Sequence, residues 1–121
     1  MTATRQKLNV YGEAEIPAKL AEFGLDSWHL DDGWIRRQFT TENWLTTLAL
    51  VNAIGFLAEA AWHHPDMEVT YRKVWVRLKT HSENGITDRD FALARRIEDV
   101  ALWQPLPESP FEPNPNKWIK G

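Results

Sequence analysis

The 121-residue chain contains no cysteine, which removes disulfides, thiolate nucleophiles and cysteine-based zinc sites together and fits a reducing compartment. It has no excess of basic charge. Fourteen Lys and Arg face 17 Asp and Glu, a formal net charge of −3, which argues against a protein that lives on phosphate backbones. No apolar run reaches the roughly 20 uninterrupted residues of a membrane span. The leading Met1-Thr2-Ala3-Thr4-Arg5-Gln6-Lys7 lacks the apolar segment of a signal peptide. GxSxG, HExxH and a glycine-rich phosphate loop are all missing, and with them a recognisable serine hydrolase, zincin or P-loop. The expectation is one cytoplasmic domain with neither membrane segment nor nucleic-acid partner. Tryptophan, by contrast, is plentiful: seven residues favour a subunit interface or a pocket for a flat ligand.

Residues 1–12 show no periodicity and read as a mobile lead-in to a domain over residues 13–103. Ile16, Leu20 and Phe23 recur at helical spacing, with Pro17 in the first turn and Gly24 as terminator. Trp28-His29-Leu30, Asp31-Asp32-Gly33 and Trp34 to Phe39 read as strand, turn and strand, because Asp-Gly favours the positive φ of a tight hairpin. A second helix is expected over 44–62, capped by Thr40 or Thr41. It is apolar on nearly every face, so it requires cover on two sides, for instance by its own sheet and by a partner subunit. Residues 69–81 shift to strand formers, with Val74, Val76 and Leu78 alternating against Lys73, Trp75, Arg77 and Lys79. Thr87 and the acidic turn after it open a third helix reaching about Trp103. Residues 104–121 are proline-rich and aperiodic, an extended arm.

The chemistry converges on Glu59-Ala60-Ala61-Trp62-His63-His64-Pro65-Asp66. Three of the four histidines, His63, His64 and His81, bracket the 69–81 strand region. Histidine both gives and accepts protons near neutrality, so the cluster suits acid/base work. On a continuous helix Asn52, Glu59 and His63 share one stripe, and Glu59 would orient His63, with His64 turned about 100° away. Other readings compete. The adjacent histidines could simply cap a helix C-terminus. His63, His64, Asp66 and His81 are all potential metal ligands, although adjacent histidines diverge on a helix. Arg36, Arg37, Lys73, Arg77 and Lys79 around Trp75 could form a basic stacking face for single strands, or a solvated strand face. His29 reads as a surface residue, and Asp31 and Asp32 as turn formers.

Glu59-x3-His63-His64-Pro65, Tyr71, Thr80-His81, Gly85-Ile86-Thr87 and Asp90 within Arg89-Asp90-Phe91-Ala92-Leu93-Ala94 together resemble the pterin-4a-carbinolamine dehydratase family, also called 4a-hydroxytetrahydrobiopterin dehydratase. The resemblance spans about residues 20–100. It implies an α+β fold, a four-stranded antiparallel sheet with about three helices packed on one face, assembled into homodimers or homotetramers through sheet edges and the long helix. It also implies a hydro-lyase without cofactor or metal that converts 4a-hydroxytetrahydrobiopterin to quinonoid dihydrobiopterin, recycling the cofactor of an aromatic amino acid hydroxylase. By that resemblance His63 and His81 are the acid/base pair and His64 positions the pterin. Glu59, Asp66, Thr80 and Asp90 bind substrate or orient the ring and the histidines. Met67 stands where many members have an aromatic residue, Trp62 is bulky for its place, and the C-terminal arm extends past compact members. The family also contains interaction and assembly factors, so the alternative is a non-catalytic protein on the same scaffold, serving transcription-factor dimerisation or enzyme assembly.

Overall fold

The computed structural model describes residues 8–121. The start of the expected lead-in, residues 1–7, lies outside the described residues. The sheet begins with the expected hairpin. Strands β1 (His29–Asp31) and β2 (Trp34–Thr41) pair antiparallel, and Asp32 and Gly33 form the turn at φ 50° and 81°. Two successive positive φ angles match the twist of the flanking strands, and Gly33 takes the second without a Cβ penalty. Strands β3 (Asp66–Val69) and β4 (Lys73–Leu78) form a second hairpin, so the strand expected within 69–81 is β4, and β3 is a further strand just ahead of it. The order is β1-β2-β4-β3, all antiparallel, and a short β5 (Ile119–Lys120) joins β2 at Thr40 and Thr41. Its residues come from the proline-rich arm, too few to carry an alternation pattern.

Alternation decides which face is core. Ile35 and Phe39 of β2 and Val74, Val76 and Leu78 of β4 are fully buried. Against them pack helix α1 (Ile16–Glu22), α2 (Trp44–Ala61) and α3 (Asp88–Ala101). Asn43, not Thr40 or Thr41, caps α2: its Oδ1 accepts from the Thr46 N–H at 3.0 Å. Thr41 is instead the last residue of β2, its hydroxyl paired with that of Thr47. The inner face of α2 carries Thr47, Leu50, Ile54 and Ala58, at the three- and four-residue steps of one helical stripe. Truncating Leu50 or Ile54 to alanine would cost about 2–5 kcal/mol. The outer face stays apolar and open, with Leu45 78% and Phe56 73% accessible. By length and composition α2 could also cross a membrane, but its inner stripe belongs to the core.

Arg37 does not join the basic face expected around Trp75. It alternates inward with Ile35 and Phe39, is buried, and ion-pairs with Glu98 of α3. A second contact, Nη2 to Oε2, measures 3.2 Å, and the Trp28 indole N–H donates to Glu98 Oε1 at 2.8 Å. On the open face Arg36 is paired with Asp31 at 3.1 Å and Arg77 with Asp66 at 3.2 Å, so carboxylates offset the charge that the spacing suggested.

The chain before α1 is anchored at Tyr11. Its N–H donates to the Ile86 carbonyl at 2.9 Å, and its hydroxyl to Asp88 Oδ1 at 2.6 Å. That hydrogen bond, with lesser help from desolvation and the Asp88 charge, raises the phenol above its ordinary pKa.

Candidate active site

The sequence ends α2 where the site begins. Trp62 takes the left-handed conformation at φ 51°. Its N–H reaches the Glu59 carbonyl at 3.2 Å, and the His63 N–H reaches that of Ala58 at 3.0 Å, the paired bonds of a Schellman ending. A tryptophan there costs about 1–2 kcal/mol relative to a glycine-like conformation. The helix therefore stops before His63, and the stripe of Asn52, Glu59 and His63 is not realised. The turn instead sends the two histidines to different carboxylates.

His63 points to α3. Its Nε2 lies 2.6 Å from Asp90 Oδ1, and the pair is sheltered, with 11% and 0% of their side-chain surfaces accessible. Asp90 is fixed from behind: its Oδ2 accepts from the Thr80 hydroxyl at 2.7 Å and from the Thr87 N–H at 2.9 Å. The Thr87 and Thr80 hydroxyls lie 2.7 Å apart, completing a relay of donors toward the carboxylate. Asp90 is also the third residue of α3 and closes the capping box that Thr87 opens, so a group that starts the helix also orients the histidine. A carboxylate only accepts, so His63 donates from Nε2 and its Nδ1 is left for proton exchange.

His64 pairs with Glu59, Nε2 to Oε1 at 2.6 Å, in a setting where half of the histidine is accessible. Glu59 thus orients His64 and not His63. The edge of the Trp62 ring meets His64 at a centroid distance of 5.2 Å, which gives that bulky residue a place in the wall. His81 begins a 3-10 turn (His81–Glu83) just beyond β4. A bridge between Thr80 and Gly85 closes this loop; a Cβ on Gly85 would come within 2.5 Å of Val10 Cγ1. The His81 ring sits edge-on to Trp34 at 5.3 Å, and among the described residues its nitrogens have no hydrogen-bond partner.

These elements form a cavity of about 330 Å³ whose wall includes His63, His64, Asp66, Thr80, His81 and Arg89. Glu59 and Asp90 stand behind their histidines and do not line it. The Thr80 hydroxyl is committed to Asp90, and Asp66 to Arg77. His29 is exposed on β1, away from this cavity. Among the described residues no group of three or more His, Asp or Glu side chains is arranged to hold a metal. Trp34 and Arg89 were not anticipated. An alternating strand pattern places Trp34 on the open face, but only the backbone path of the 80–85 loop brings His81 onto it.

The profile of the family described as Pterin 4 alpha carbinolamine dehydratase matches residues 9–100. The chain belongs to this family. A relative from Aquifex aeolicus (strain VF5), provisionally named pterin-4-alpha-carbinolamine dehydratase, is 47% identical over 88 residues, covering 73% of this chain and 87% of that protein. One from Chloroflexus aurantiacus, named in the same provisional way, is 42% identical over 88 residues, 73% of this chain and 92% of its own. Among solved structures, a transcriptional coactivator/pterin dehydratase from Brucella melitensis superposes with a TM-score of 0.70 at 34% identity, covering 77% of this chain and 99% of that one. A pterin dehydratase-like protein identified as a RuBisCO assembly factor in the alpha-carboxysome shares the fold at a TM-score of 0.55 and 20% identity, over 63% of this chain and 90% of that one.

Proposed function

We propose that the chain is a hydro-lyase that removes water from a 4a-hydroxytetrahydropterin, with 4a-hydroxytetrahydrobiopterin as the parent substrate. The observation that carries this reading is the division of labour among three histidines around one cavity. Two are held by carboxylates, and the ring nitrogens of the third have no hydrogen-bond partner among the described residues. The reaction breaks the C4a–O bond and forms a C4a–N5 double bond. One histidine of the His63 and His81 pair protonates the departing oxygen, which leaves as water, and the other takes the proton from N5. The substrate loses one water in total, the proton given up by one histidine is matched by the proton the other gains from N5, and no electrons are exchanged. General acid and base groups typically contribute 10²–10⁴-fold each to such a step.

The remaining residues support that pair. Asp90 holds His63 in the tautomer whose Nδ1 exchanges protons, Glu59 steadies His64 against the pterin, and Asp66 and Thr80 shape the wall. The open apolar face of α2 supports assembly into a homodimer or homotetramer. The substrate would come from an aromatic amino acid hydroxylase.

The test is the decay of ultraviolet absorbance of freshly generated 4a-hydroxytetrahydrobiopterin with and without the protein. Acceleration by the full chain supports the reading. A folded protein that leaves the spontaneous rate unchanged contradicts it.

A further inference from the structure

Arg89 and Arg96 differ from the other arginines. Of the seven among the described residues, Arg36, Arg37, Arg77 and Arg95 are held by carboxylates and Arg72 by the Thr41 carbonyl. Among the described residues the guanidinium groups of Arg89 and Arg96 have neither ion pair nor hydrogen bond. The seven residues outside the description contain no Asp or Glu, so no carboxylate there could neutralise them. Both arginines lie on α3 seven residues apart, two turns or about 10 Å along one face.

That face borders a second cavity, of about 450 Å³, between α2 and α3. Its floor is apolar, formed by Leu57, Ala60, Ala61 and Leu93. Two residues, His63 and Arg89, belong to the walls of both this cavity and the histidine cavity. A substrate whose N5 lies against the acid/base pair has its next ring atom, C6, at the same end. A side chain on C6 directed past His63 would cross the shared wall at Arg89, with Arg96 farther along the second cavity.

On the dehydratase reading of the first cavity, we infer that the preferred substrate is a pterin whose C6 side chain ends in a phosphate monoester, received by Arg89 and Arg96 in the α2–α3 cavity. Arginine suits this role because its planar donor fork matches phosphate oxygens. A neutral hydroxylated side chain would leave both cations unused.

The experiment titrates the full-length protein with neopterin and with neopterin 3′-monophosphate, following the pterin fluorescence at low salt, and reads the ratio of the two affinities. The ratio in wild type is expected to favour the phosphate by about tenfold or more, as charge-assisted bonds allow. It should fall toward one in the Arg89→Gln/Arg96→Gln double variant and shrink in about 0.5 M salt. Inorganic phosphate at equal concentration should not displace neopterin 3′-monophosphate, which separates a phosphorylated pterin from a site for the free ion. A ratio of one in wild type, an undiminished ratio in the double variant, or displacement by inorganic phosphate overturns the inference. Binding of neutral neopterin with a ratio of one sinks this inference alone, whereas failure of both pterins to bind sinks the dehydratase reading with it.

Discussion

His63 and Asp90 are 27 residues apart in the chain and meet at 2.6 Å, one at the end of α2 and the other in the first turn of α3. Asp90 is at once the acceptor of the capping residue's N–H, partner of Thr80 and brace of the histidine. Asp90→Asn keeps the shape but offers a donor where the histidine needs an acceptor. The expected result is a fall in turnover of about 10²-fold, within the range of a lost general base. A stability loss of about 1–3 kcal/mol should accompany it, from a buried network left partly unpaired. Urea unfolding beside the decay assay separates the two effects.

Glu59 holds His64 in the open, so its loss should behave differently. Glu59→Gln is expected to change stability by less than about 1 kcal/mol, as exposed pairs do. Turnover should drop less than in Asp90→Asn, with the larger part of the effect in KM if His64 serves to place the pterin. A turnover loss equal to that of Asp90→Asn would contradict the separate roles of the two pairs.

The Arg37 and Glu98 pair is structural. Arg37→Met leaves a buried carboxylate with the Trp28 indole as its remaining partner and should cost about 3–5 kcal/mol. Arg37→Met/Glu98→Leu should recover much of that loss, because removing both charges also removes their desolvation cost. Denaturant midpoints of the single and double variants check this.

Tyr11 links the residues before α1 to α3. Its phenol titrates above the ordinary value because its hydroxyl donates to Asp88. A raised folded pKa gives stability that is fully present below the unfolded value, near 10, and is lost as pH rises through the folded one. Tyr11→Phe should therefore be less stable than wild type at pH 7, and the gap should close on the alkaline side. Thermal midpoints from pH 7 to 11 would reveal a constant gap if the bond to Asp88 contributes nothing.

Much of this architecture is legible in the sequence for identifiable reasons. Asp-Gly fixes the β1–β2 hairpin, strict alternation picks out the inward faces of Val74, Val76 and Leu78, and Thr87 with Asp90 announces α3. The local pattern failed where backbone geometry changes within one residue. Nothing in Ala61-Trp62-His63 signals a left-handed tryptophan, so periodicity carried the helix too far and assigned Glu59 to the wrong histidine. Arg37 looked like surface because its partner, Glu98, lies 61 residues away. The family resemblance, by contrast, rests on short fixed spacings, and the profile match over residues 9–100 agrees with it.

The measurement closest to the central claim is the initial rate of 4a-hydroxytetrahydrobiopterin dehydration by wild type, His63→Ala and His81→Ala, each first shown to be folded by circular dichroism. Acid/base catalysis by this pair predicts acceleration by wild type and a drop of about 10²-fold or more in each variant. Equal rates for all three proteins would contradict the assignment of chemistry to these histidines.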